Sequence, residues 1–132
     1  MKKIKTLCLV DDDDIFQLIT QRVIQQTNLV DSIKIFSNGL DAMIFLKSVA
    51  QNAAQLPEII LLDLNMPVMD GWEFLEEFTL LKPRLDKTIT IYVVSSSIAP
   101  SDIERAEAIN EVTDYIIKPI TTEKLLDMLK SL

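Results

Sequence analysis

Polar residues suited to phosphate chemistry stand directly after apolar runs of this sequence. Asp11 and Asp12 follow TLCLV, Asp63 follows IILL, and Ser95 and Lys118 close two further runs. Carboxylates held close together need a hard cation or a proton. Mg²⁺ takes oxygen ligands, usually one or two carboxylates completed by waters and phosphate oxygens. With a lysine charge and a serine hydroxyl beside them, such carboxylates are suited to phosphoryl transfer onto one of their number.

These residues can act together only if the fold brings them to one place. Five short apolar or β-branched runs alternate with helical patterns, which is typical of βα units around a parallel sheet. The first, third and fourth runs are almost continuously apolar and are expected in the middle of the sheet. Carboxyl ends of parallel strands form one ligand-binding edge, where the polar residues should meet. The predicted strands cover residues 4–10, 32–36, 58–63, 90–95 and 114–117.

Helical patterns fill the intervals between the predicted strands. Two helices follow from apolar spacing, and three more are predicted at 72–81, about 101–110 and 121–132, with Thr121 or Thr122 capping the last. No linker or repeat interrupts the pattern. We therefore expect one domain over residues 1–132 with no output domain. The apolar positions that define the first two helices are Ile15, Leu18, Ile19 and Val23, then Leu40, Met43, Ile44 and Lys47.

Composition excludes several classes of protein. A net charge of −7 counts against nucleic-acid binding, which relies on Lys and Arg clusters. Cys8 is the one cysteine and is expected to be a core residue in a reducing compartment. The basic start MKKIK precedes too short an apolar run for a signal peptide, and no run could span a membrane. These observations predict a cytoplasmic protein.

Four segments resemble the CheY-like receiver domains of two-component response regulators. They are VDDD at 10–13, LLDLNMPVMDG at 61–71, VVSSS at 93–97 and YIIKPI at 115–120. The resemblance implies a flavodoxin-like, doubly wound α/β fold with five βα units and strand order 2-1-3-4-5. It also implies a stand-alone signalling receiver in a phosphorelay, phosphorylated by a sensor histidine kinase or histidine phosphotransferase and read by a downstream target protein. Such a receiver catalyses only its own phosphorylation and dephosphorylation.

The resemblance implies a role for each polar residue near the third strand. Asp63 would be the phosphoacceptor, and Asp11 and Asp12 would be the acidic pair that holds Mg²⁺. Asp12 would be the direct ligand of the pair. Asn65 would add its backbone carbonyl to the metal.

The remaining implied roles concern transfer and switching. Lys118 would contact Asp63 or its phosphoryl group, through a cis peptide to Pro119. Ser95 would close onto a phosphoryl oxygen, and Tyr115 would be the aromatic switch that moves with it. Their joint movement would change the surface formed by the fourth helix, fifth strand and fifth helix.

One segment departs from the family pattern. The turn before the fifth strand reads NEVTDY at 110–115 instead of being small or glycine-rich. We expect Asn110 to take a left-handed conformation there. Glu111 and Asp114 are expected to add negative charge beside the output surface, which favours a partner with basic contacts.

Other interpretations compete with the receiver. Asp13 and Asp14 are expected only to cap the first helix, and an EF-hand fails because no glycine stands at its turn position. Asp63 could be an ordinary capping or turn residue. A Mg²⁺-dependent haloacid-dehalogenase-like phosphohydrolase would need a second aspartate where Asn65 stands. A pseudo-receiver would keep the fold as an unphosphorylated interaction module.

Overall fold

A five-stranded parallel sheet organises the chain in a computed structural model that describes residues 3–131. Its strand order is β2-β1-β3-β4-β5, which confirms the predicted flavodoxin-like arrangement. The three most apolar strands, β1, β3 and β4, lie in the middle, where helices cover both faces. The strands are β1 Ile4–Val10, β2 Val30–Phe36, β3 Ile59–Leu62, β4 Thr90–Ser95 and β5 Val112–Ile117.

Five α-helices connect or follow the strands, and side chains define several of their ends. Asp13 caps the first helix, as predicted, by accepting hydrogen bonds from the backbone N–H groups of Ile15 and Phe16. Thr121 caps the last helix through Lys124 N–H. The predicted end of that helix, Leu132, lies outside the described residues. The helices are α1 Asp14–Thr27, α2 Gly39–Ser48, α3 Gly71–Leu81, α4 Pro100–Glu107 and α5 Thr122–Lys130, with a short 3₁₀ turn at Lys82–Arg84.

The turn between α4 and β5 differs from the prediction. Asn110 is not left-handed, because the non-glycine residues with positive φ within 3–131 are Asn28 and Val68. The N–H of Val112 donates to the carbonyl of Ile109 at 3.0 Å. This hydrogen bond closes a tight turn without a left-handed residue, so α4 ends earlier and β5 begins earlier than expected.

The core has two parts, one on each face of the sheet. Val10 and Leu62 point toward the face that holds Phe74 and Phe78 of α3. Leu9 and Leu61 point the other way, toward α1 and α5, because successive strand residues alternate between faces. Cys8 is 2% exposed, as expected for a core residue. Within residues 3–131, no helix combines the length and apolar character needed to cross a membrane.

Helix α1 buries a different stripe from the one that its apolar spacing suggests. Thr20 and Ile24 are buried, whereas Ile15, Leu18 and Ile19 are 71%, 49% and 57% exposed. Of the four predicted positions, Val23 packs against the core beside Ile24, together with Phe16, and the other three point away from the sheet. The apolar spacing predicted the helix correctly but did not identify the buried side.

Candidate functional site

Asp63 stands where β3 ends and the loop to α3 begins. Its N–H donates to the carbonyl of Val10 on β1 at 2.9 Å, and its carboxylate accepts a hydrogen bond from the N–H of Leu64 at 2.9 Å. The residue is 6% exposed. Burial, reinforced by the charge of Asp11, raises the pKa of Asp63 to about 6. Its ionised form therefore needs a positive partner.

Asp11 and Asp12 bring two more carboxylates to the same place. Val10 pairs with Leu62 in the sheet, so the residue after each of these strand ends lies at one rim. Asp11, Asp12 and Asp63 each contribute one carboxylate oxygen, and these three oxygens lie within 4.8 Å of one another. Burial raises the pKa of Asp11 above its ordinary value. The donors are all oxygen, and Asp12 is exposed, so the cluster suits a hard cation that keeps some of its waters.

Lys118 supplies the positive charge at this rim. Its Nζ lies 2.7 Å from Asp11 Oδ2 and 3.8 Å from Asp63 Oδ1. The ammonium group also lies 4.2 Å from the centre of the Phe16 ring, a distance at which cation and ring attract. The Lys118–Pro119 peptide bond is cis. Lys118 is thus placed to contact the predicted acceptor and one member of the acidic pair.

Ser95 and Tyr115 meet through the loop between β4 and α4. Ser95 is fully buried, and its hydroxyl accepts a hydrogen bond from Ser97 N–H at 3.1 Å. The hydroxyl of half-buried Tyr115 donates to the carbonyl of Ser97 at 2.9 Å. Both predicted switch residues therefore contact the same residue of one loop, from two neighbouring strands.

Asn65 lies in the loop that joins β3 to α3. The residue is exposed, and its backbone N–H opposes the rise in the pKa of the Asp63 carboxyl. The loop closes where Gly71 N–H donates to the carbonyl of Leu64 at 2.9 Å. Asp70 and Glu73 then form a capping box that starts α3. The predicted backbone ligand is thus next to the acceptor in a closed loop.

Three residues at the rim were not predicted as part of the site. The ring of Phe16 stands against Lys118, the Gln17 side-chain amide donates to the carbonyl of Asp11, and Ser97 joins Ser95 to Tyr115. Phe16 and Gln17 occupy the first turn of α1 and stand four and five residues after Asp12. Their closeness to the acidic pair in the sequence was the one feature that could have predicted a place for them at the site. Ser97 carried no signal beyond its place in VVSSS.

Glu111, before β5, and Asp114, within it, differ in how far their charges are exposed. Glu111 is turned toward α3, where it accepts a hydrogen bond from Thr79 Oγ1 at 2.8 Å and pairs with Lys82 at 3.6 Å. Its side chain is 11% exposed, so most of the charge expected from Glu111 beside the output surface is paired within the protein. Asp114 pairs with Lys124 at 3.8 Å and keeps 46% exposure.

Comparisons with known proteins match one family along nearly the whole chain. A sequence model described as the response regulator receiver domain matches residues 7–130. The crystal structure of a two-component response regulator from Cytophaga hutchinsonii is 32% identical, with a TM-score of 0.88 over 98% of this chain and 97% of that one.

Curated relatives agree with this match. The response regulator Rcp1 of Synechocystis is 29% identical over 97% of this chain and 86% of its own length. The probable methanogenesis regulatory protein FilR2 of Methanothrix harundinacea is 29% identical over 90% and 75%. Other relatives are longer, and the chain spans between 11% and 52% of the length of three of them.

Proposed function

The chain belongs to the response regulator receiver domain family, and from that premise we propose that it accepts a phosphoryl group on the Asp63 carboxylate. The donor is a histidine kinase or a histidine phosphotransferase. One observation carries the proposal: Asp63 shares a rim with two carboxylates within 4.8 Å and with the Lys118 ammonium at 3.8 Å. The receiver domain of a response regulator is a signalling domain rather than a metabolic enzyme.

Asp11, Asp12 and Asp63 are the residues that would hold Mg²⁺, with the backbone carbonyl of Asn65 as a further ligand. The raised pKa values of Asp11 and Asp63 support this assignment, because carboxylates that are costly to ionise gain most from a bound cation. Held by these residues, Mg²⁺ would offset the charge of the carboxylates and of the transferred phosphoryl oxygens. Exposed Asp12 leaves the outer side open to water and to the donor.

The transfer step uses the side chains of the rim. A carboxylate oxygen of Asp63 attacks phosphorus, and the bond from phosphorus to the donor's imidazole nitrogen breaks as the new P–O bond forms. The electron pair of the broken bond stays on the imidazole, which then takes a proton from water. Lys118 moves its ion pairing toward the phosphoryl group, and the Ser95 hydroxyl donates to a phosphoryl oxygen.

The switch follows from the loop that Ser95 and Tyr115 share. When the Ser95 hydroxyl turns toward the phosphoryl group, its hydrogen bond with Ser97 N–H changes and Ser97 moves. The Tyr115 hydroxyl donates to the carbonyl of Ser97, so Tyr115 moves with it. The surface of α4, β5 and α5 then changes, and a separate target protein reads that change. We further propose that residues 1–132 act as one receiver unit and that the exchange takes place in the cytoplasm.

Intact-protein mass after incubation with acetyl phosphate tests the proposal. With Mg²⁺ present, wild-type protein is expected to gain one phosphoryl group, and Asp63→Asn none. Omitting Mg²⁺ should abolish the gain. No gain in the wild type, although it binds beryllofluoride, would refute phosphoryl acceptance. No gain and no beryllofluoride binding would favour a pseudo-receiver, and steady turnover of a phosphate ester would favour a hydrolase.

A further inference from the structure

A strained turn lies in the loop between β3 and α3. Val68 has a φ of 68°, a left-handed conformation that β-branched residues rarely adopt. The side chain of Val68 is 73% exposed, so burial does not compensate for the strain. Asn28 is also left-handed, but asparagine tolerates that conformation. Val68 is therefore a backbone outlier that needs another explanation.

Contacts on both sides hold this turn in place. The N–H of Met69 donates to the carbonyl of Pro67 at 2.8 Å, which closes a three-residue turn around Val68. Met66, on the side toward Asn65, is 9% exposed and anchored in the core. On the other side, the carbonyl of Met69 accepts a hydrogen bond from Gly39 N–H at 3.0 Å. Strained residues persist when their surroundings fix them in this way, often at functional sites.

Gly39, the first residue of α2, allows that last contact. A Cβ atom on Gly39 would lie 2.6 Å from the Met69 carbonyl oxygen and 3.0 Å from Met69 Cγ. The first of these is a backbone atom, which cannot rotate away as a side chain can. The first N–H groups of a helix also lack partners within the helix, and Gly39 uses one of them on the loop. Glycine is thus required here by close approach.

We propose that Gly39 is a positioning residue for the metal and phosphoryl site. It holds the Met69 carbonyl, which maintains the strained turn at Val68, and the turn fixes where the Asn65 carbonyl lies beside Asp63. Helix α2 thereby shapes the site through its backbone alone. This inference rests on the proposed function, because it concerns the affinity of that site for Mg²⁺.

The test compares Gly39→Ala with Asn38→Ala by calorimetric titration with Mg²⁺ at a temperature where both are folded. Asn38 caps the same helix by accepting from Asp41 N–H at 2.8 Å, so its loss weakens the start of α2 and leaves the Gly39 contact intact. We expect Gly39→Ala to raise the Kd for Mg²⁺ about tenfold, as for other positioning groups of metal sites. Asn38→Ala should lower stability with the Kd unchanged.

A second variant covers the case in which Gly39→Ala does not fold. In Val68→Gly the contact from Gly39 still holds the turn, so this variant alone should keep the wild-type Kd for Mg²⁺. Glycine at position 68 lets the loop move away from an added Cβ, so the double variant Gly39→Ala with Val68→Gly should fold and show a Kd about tenfold above that of Val68→Gly. A folded Gly39→Ala with the wild-type Kd, or an equal loss in Asn38→Ala, would overturn the inference, as would equal Kd values in Val68→Gly and the double variant. Phosphorylation of the wild type by acetyl phosphate is measured in the same series. If the proposed function fails, the wild type itself neither binds Mg²⁺ nor gains a phosphoryl group, and this result differs from each of the outcomes above.

Discussion

Replacing Asp63 by asparagine is expected to stabilise the metal-free protein at pH 7. The pKa of Asp63 is about 6 against an ordinary value of 3.8. At about 1.4 kcal/mol per factor of ten, the difference between the folded and unfolded pKa values lowers the free energy of unfolding at pH 7 by about 3 kcal/mol. Asparagine carries no charge but makes poorer hydrogen bonds to the loop N–H groups, which costs about 1 kcal/mol. The free energy of unfolding should therefore rise by about 2 kcal/mol.

The advantage of the variant should depend on pH in a definite direction. Because the folded-state pKa of Asp63 is raised, the native wild type binds more protons than the unfolded chain between about pH 4 and 6. Wild-type stability therefore falls as pH rises through that window, and the loss is complete above it. The asparagine side chain of the variant has no such titration. The difference between the two proteins should be about 1 kcal/mol smaller at pH 5 than at pH 7.

Urea unfolding in a chelating buffer at pH 5 and pH 7, followed by circular dichroism, measures both quantities. Adding Mg²⁺ at ten times its Kd should then stabilise the wild type by about 1.4 kcal/mol and the variant by less. A variant less stable than the wild type at pH 7 without metal would refute the reasoning. So would a difference that does not change between the two pH values.

Three further predictions concern other residues. Lys118→Ala removes the ammonium that lowers the pKa of Asp63, so the midpoint of the Asp63 carboxyl titration, followed by carbon NMR, should move above 6, and an unmoved midpoint would contradict this. Tyr115→Phe loses the hydrogen bond to Ser97 and should lower the free energy of unfolding by about 1 kcal/mol, whereas an unchanged urea midpoint would show that this bond adds no stability. Burial raises the pKa of the Cys8 thiol to about 12, so a thiol reagent at pH 8 should label it only on unfolding, and rapid labelling of the native protein would contradict its burial.

Much of the fold followed from the strands. Continuous apolar runs identified β1 and β4 with their observed limits, because a central parallel strand is buried on both faces and has little tolerance for polar residues. The same runs located the rim, since the residue after each run lies at the carboxyl end of its strand. Asp11 and Asp63 could therefore be placed together before any coordinates were considered.

Contacts between distant segments could not be predicted in the same way. The spacing of Ile15, Leu18 and Ile19 indicated a helix, but spacing does not say which side of the helix faces the sheet. The orientation of Glu111 toward Lys82 depends on how α3 lies beside the turn before β5. The contact between Gly39 and Met69 joins the start of α2 to the loop after β3, and only the sheet order brings these two segments together.

The most direct test of the central claim locates the phosphoryl group on the chain. Borohydride reduces an aspartyl phosphate to homoserine, which tandem mass spectrometry identifies by position. After treatment with acetyl phosphate and Mg²⁺, reduction is expected to convert residue 63 alone, and a sample without Mg²⁺ should show no conversion. Conversion at Asp11 or Asp12, or phosphorylated protein in which residue 63 remains aspartate, would contradict the assignment of Asp63 as the acceptor.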